Sequence, residues 1–139
     1  MFEKILVAND GSEGAARAVS AAIGVATRHG ATLHMICVEE MPRFPASIEE
    51  VVEDQMDAGH RYETVVARAT AQATAQGISL NTHVVAGHAV PAICEFVQRE
   101  HFDLLVVGYM GHSALYNRLI GGTTDRLVEH APCNVLVIK

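Results

Sequence analysis

Leu104-Leu105-Val106-Val107-Gly108-Tyr109-Met110-Gly111, then nine residues, then Gly121-Gly122-Thr123-Thr124 is the stretch from which the rest of the chain can be read. The apolar run at 104–107 fits a strand covered on both faces. A helical pattern starts close to Thr123 and continues through Leu127 and Val128. Glycines and hydroxyls between a buried strand and a helix start suit the capture of an anion. Glycine lets main-chain N–H groups approach and converge, and a helix start adds unpaired donors at the positive end of a dipole. The stretch therefore reads as a cradle for phosphate.

Composition limits what surrounds it. The chain has 139 residues, half of them apolar and 19% charged, which fits one folded domain over 1–139. A formal charge of −6 argues against nucleic acid or an anionic membrane surface as partner. Lys4 and Lys139 are the only lysines. Phosphate binding must then rest on backbone N–H groups, hydroxyls and arginine. Cys37, Cys94 and Cys133 are widely spaced, odd in number and set among apolar residues, as reduced cytosolic thiols would be. Met1-Phe2-Glu3-Lys4-Ile5 leads directly into a strand with no signal-like region, and no apolar run nears the ~20 residues of a membrane span. The expectation is a cytoplasmic protein.

Outward from the glycine stretch, strands and helices alternate. Ile5-Leu6-Val7-Ala8 is a buried strand followed by the turn Asn9-Asp10-Gly11-Ser12, in which Ser12 or Asp10 can cap a helix that stops at Gly30. A second strand covers 32–38, and 39–46 reads as a loop because of Pro42 and Pro45. Ser47-Ile48-Glu49-Glu50 is a capping box for a long helix ended by Gly77. Residues 79–85 form an outer strand, Gly87-His88-Ala89 a turn, and Pro91 sits in the first turn of the next helix. After the glycine stretch and its helix, which Pro132 stops, 134–138 is the last strand. This order predicts an open parallel sheet with helices on both faces and a ligand crevice beyond the carboxyl ends of the strands. If the first and fourth strands are central neighbours, their turns meet there.

Several chemistries are absent from the sequence. There is no G-x-x-x-x-G-K-[ST], and no G-x-G-x-x-G follows the first strand. None of the eight histidines has H-x-x-x-H spacing, and no C-x-x-C or G-x-S-x-G occurs. A divalent cation carried on nucleotide phosphates fits better than a metal site built by the protein, and no catalytic residue is assigned.

The spacing Gly108-x2-Gly111-x9-Gly121, with Asp103-Leu104-Leu105-Val106-Val107 before it and His130-Ala131-Pro132-Cys133-Asn134-Val135-Leu136-Val137 after it, resembles the universal stress proteins, as does the front segment at 5–12. The resemblance spans the whole chain. It implies an adenine nucleotide alpha hydrolase-like fold of strand order 3-2-1-4-5, a homodimer, a role in stress response, and bound ATP or another adenine nucleotide with Mg2+ or Mn2+ on its phosphates. By position, Asp10 and the backbone around Ala8, Asn9 and Val38 would meet adenine and ribose. Gly108 would lie near the ribose, and Gly111, His112, Gly121, Gly122, Thr123 and Thr124 would surround the phosphates. Two departures stand out. Gly122 replaces the usual Ser or Thr after the third glycine, and Ala8-Asn9 replaces the proline before Asp10.

Asp10 reads equally as a turn cap, His112 reads more readily as a solvated loop residue than as a phosphate donor, and Arg118 either reaches a phosphate oxygen or lines the surface. Two rival functions remain. One is a slow nucleotide hydrolase using Asp10 or His112. The other is a protein-interaction dimer without ligand. Dimerisation also has a physical motive, because Val135 and Val137 lie on a strand expected at a sheet edge, where a twin strand would cover them.

Overall fold

A computed structural model describes residues 1–40, 48–109 and 120–139, with the backbone alone over 48–59 and at 61. Five parallel strands alternate with four helices: β1 (Lys4–Ala8), α1 (Glu13–His29), β2 (Thr32–Glu40), α2 (Ile48–Ala75), β3 (Leu80–Gly87), α3 (Ala89–Glu100), β4 (Leu104–Gly108), α4 (Gly122–His130) and β5 (Asn134–Ile138). Their order in the sheet is β3-β2-β1-β4-β5, so β1 and β4 are neighbours at the point where the winding reverses. The fold expected from the sequence and from its family resemblance is the fold observed.

Strand periodicity divides the core into two layers. Ile5, Val7, Leu33, Met35, Leu104 and Val106 point to one face, where the small residues of α1 and the buried Ala69 and Ala73 of α2 cover them. Leu6, Ile36, Val38, Leu105 and Val107 point to the other, beneath Ile93, Phe96 and Val97 of α3 and Leu127 of α4. Each fully buried aliphatic side chain contributes about 1.5–3 kcal/mol, so these two-sided strands account for the sheet's stability. They also explain why the central strands read as unbroken apolar runs.

Local chemistry sets the boundaries. Ser12 caps α1 by accepting from the Ala15 amide at 3.1 Å, and Gly30 closes it with φ 62°. At the opposite end of the sheet, the Asp103 carboxylate accepts from the Glu3 and Lys4 amides at 2.8 and 3.2 Å, tying the start of β1 to the start of β4.

Two boundaries differ from the sequence expectation. β2 continues through Glu39 and Glu40, which pair with Ala86 and Gly87 of β3. Both strands thus outrun their local turn signals, because parallel pairing to a partner outweighs the preference of the individual residues. The remainder of the expected loop, with Ser47 of the capping box, lies outside the described residues, and α2 stops at Ala75, ahead of Gly77. No helix among the described residues is long and apolar enough to cross a membrane.

Candidate functional site

The turn after β1 lies beside the end of β4 and the start of α4, as the winding reversal requires. They frame a cleft of about 320 Å3 at the carboxyl ends of the strands. Ile36, Ile93, Val107 and Leu127 give it an apolar floor. Ala8, Asn9, Asp10 and Ser12 line one wall, Val38 and Glu40 a second, and Gly108, Gly121, Thr123 and Thr124 a third.

On the β1 side the polar groups are occupied by the fold itself. Asn9 is buried. Its amide donates to the Ile36 carbonyl at 3.0 Å, its Oδ1 accepts from the Gly11 amide at 2.9 Å, and its Nδ2 donates to Met35 Sδ at 3.4 Å. Asp10 Oδ1 accepts from the Ser12 amide at 3.0 Å while Ser12 caps α1. The capping role of Asp10 is therefore present, and its carboxylate also borders the cleft.

On the β4 side the backbone is the main feature. A Cβ at Gly108 would stand 2.8 Å from both the carbonyl carbon and the oxygen of Gly14, so only glycine lets β4 pass under the first turn of α1. The Thr124 hydroxyl, buried, donates to the Gly108 carbonyl at 2.6 Å and fixes the start of α4 on the end of β4. Gly121 donates from its amide to the Tyr109 carbonyl at 2.9 Å and accepts from the Asp125 amide at 2.9 Å. The amides of Gly122, Thr123 and Thr124 form the first turn of α4, which an α-helix leaves without intrahelical acceptors. Gly122 is exposed, and an added Cβ there meets nothing within 4 Å. Gly111, His112 and Arg118 lie outside the described residues.

Three contributors escaped the sequence reading. Glu40, assigned there to a loop, ends β2 at the cleft rim. Its Oε1 accepts from the Ala89 amide at 3.0 Å, and its Oε2 lies 3.4 Å from His88 Nδ1, so it caps α3 from a neighbouring strand. Tyr62, a lone aromatic of α2, donates its buried hydroxyl to the Val38 carbonyl at 3.1 Å on the cleft wall. Arg126 borders an adjoining hollow of about 360 Å3 that shares Glu40, Ala89 and Thr123 with the cleft. Nothing local marks the first two, since both act across elements. Arg126 is findable as the residue one helical turn beyond Gly122.

The electrostatics are asymmetric. Asp10 and Glu40 place carboxylates along the β1 and β2 edges, whereas the α4 start offers amides and the positive end of its dipole. An anionic group is therefore directed to α4, and hydroxyl or amino groups to the carboxylates. Cys37 lies near Asp10, but burial first, and then the Asp10 charge, push its thiol up to about 12. Cys133 is raised by burial to about 11, and a thiol so rarely ionised is a poor nucleophile. Among the described residues no three His, Cys, Asp or Glu side chains are grouped to hold a metal ion.

The comparisons with known proteins agree with this architecture. The chain is 32% identical over 142 residues to a universal stress protein of Thermus aquaticus, covering all of both chains. Its structure superposes on that of universal stress protein UspA from Lactobacillus plantarum with a TM-score of 0.90 at 27% identity, over 99% of this chain and 98% of the other. A universal stress protein solved in complex with cAMP matches with a TM-score of 0.77 at 26% identity, over 99% and 97%. The model of the universal stress protein family itself matches residues 1–139. From its first strand to its last, the chain belongs to the universal stress protein family.

Proposed function

We propose that the cleft binds an adenine nucleotide, ATP foremost, and that the protein acts in stress response as a nucleotide-responsive module of the cytoplasm. One observation carries this reading. The β1 and β4 exits close on an apolar-floored cleft with the amides of the first turn of α4 at one corner. A flat aromatic base fits the apolar floor between Ile36 and Ile93, and ribose hydroxyls suit the carboxylate of Asp10. The amides of Gly122, Thr123 and Thr124 suit phosphate, with Gly121 and Gly108 giving it room. The solved relative that holds cAMP supports an adenine ligand in this fold. Mg2+ or Mn2+ would ride on the phosphates, coordinated by phosphate oxygen and water, as hard cations are in nucleotide sites.

Three amide donors acting on phosphate, with the base buried, supply on the order of 8 kcal/mol, a micromolar affinity. Isothermal titration with ATP, AMP and adenosine tests this. The expected order of affinity is ATP, then AMP, then adenosine. No heat and no thermal shift at millimolar ATP with magnesium would reject the reading.

The protein is also proposed to pair with a second copy through β5. That strand lies at one edge of the sheet and carries Val135 and Val137 half-buried. An edge with unpaired ladder groups gains from a twin strand. Val137→Pro is expected to give monomer in light scattering, and an unchanged dimer would remove this interface.

A further inference from the structure

On the face of the sheet that packs against α3, two imidazoles face each other across β2 and β3. His34 Nδ1 and His83 Nε2 are 2.9 Å apart, and the rings lie within 7° of parallel. Register places His34 opposite Asn81 and His83 opposite Ile36, so the two rings are diagonal neighbours on the α3 face. Phe102 stands edge-on to His34 with centroids 5.1 Å apart, and Phe96 of α3 lies 4.7 Å from His83. The two phenyl rings are 5.3 Å from each other, which closes the box.

Charge surrounds it. Lys4 of β1 sits 4.8 Å over the Phe102 ring and Arg99 of α3 lies 5.4 Å from the Phe96 ring. Glu100 pairs with both cations at 3.7 Å.

Proton counting makes this arrangement conditional. With no added proton, one ring donates N–H and the other accepts, so a single hydrogen bond links the strands. One added proton leaves an N–H to donate and a lone pair to receive it. A second converts the contact into two N–H groups and two positive charges confronting each other at hydrogen-bond distance. Neither a hydrogen bond nor close contact survives that. We propose that the His34–His83 pair is a proton-operated latch. It holds edge strand β3 to β2 while the pair carries at most one added proton, and it loosens β3 when both rings are protonated.

The surroundings agree in direction. Burial, then His83, then Lys4 lower the His34 pKa below its ordinary value, against a smaller opposing effect of Glu100. Burial likewise lowers that of His83, with Glu100 opposing and Lys4 and Arg99 adding to the shift. Groups more reluctant to protonate when folded give full stability above about pH 6.5, the free-histidine value, and lose it as pH falls through the folded values. β3 is the strand placed to respond, since it lies at the edge of the sheet and, among the described residues, pairs only with β2.

Amide hydrogen exchange at pH 7.5 and pH 5, corrected for intrinsic rates, tests the proposal with residues 4–8 of the central strand as internal reference. On acidification, protection at residues 80–87 is expected to fall roughly tenfold more than at the reference. In His83→Gln, which cannot gain the second charge, the extra fall is expected to vanish. Parallel loss in both strands of the parent protein, or the same extra fall in the variant, would overturn the latch. Should the variant not fold, NMR titration of the two imidazoles in the parent protein decides. The loss of β3 protection must follow the second protonation, and a doubly protonated pair with β3 still protected would refute it.

Discussion

The two turns that enclose the cleft use their residues in opposite ways. After β1, polar side chains are numerous and already employed: Asn9 and Asp10 build the turn, and Ser12 caps α1. At the described ends of the β4 connection the backbone takes over. Gly108 carries none because Gly14 leaves no space, Thr124 turns its hydroxyl back onto the Gly108 carbonyl, and the exposed Gly122 opens the first turn of α4 without a side chain. The polar side chains after β1 thus serve chiefly as a joint of the fold, and the nucleotide reading proposed above places the anion on the main chain at the start of α4.

Substitutions can break or sharpen that contrast. The largest effect is expected from Gly108→Val. Its Cβ meets two backbone atoms of Gly14 at 2.8 Å, and neither can rotate away. A cost of about 3 kcal/mol, or roughly 10 °C in melting temperature, should be accompanied by loss of nucleotide binding. A stable variant would show that α1 and β4 are less tightly joined than described.

Thr124→Val is expected next. It keeps the shape but removes the hydroxyl donor from the part-buried Gly108 carbonyl, at a cost of about 1 kcal/mol measured by chemical denaturation. Unchanged stability with weakened nucleotide binding would instead make that hydroxyl a ligand group.

Gly122→Ser should be the mildest for the fold, within about 0.5 kcal/mol, because open space surrounds the position. Titration should show ATP bound several-fold more tightly, since a hydroxyl joins the amides at the helix start. Weaker binding would mean that the phosphate needs the bare backbone there.

How far the sequence revealed this follows from the same contrast. The central strands were legible because burial on both faces leaves unbroken runs such as Leu104-Leu105-Val106-Val107, and the α1 caps because Ser12 and Gly30 act locally. The meeting of the two turns followed once β1 and β4 were taken as neighbours, an order supplied by the family resemblance. The illegible parts act across elements. Glu40 closes α3 from β2, Tyr62 reaches the Val38 carbonyl from α2, and the packing need for glycine at 108 depends on Gly14, some ninety residues earlier in the chain. The His34–His83 contact likewise arises only from the β2–β3 register.

The central claim is that main-chain amides at the start of α4 capture the anion, in a chain with almost no lysine. Nitrogen–proton correlation spectra recorded during ATP titration test it most directly. The amide signals of Gly122, Thr123 and Thr124 should move downfield with ATP and AMP but barely with adenosine, while those of Asn9 and Gly11 move little. ATP-induced shifts confined to other residues, with the α4 start unmoved at saturation, would contradict the account.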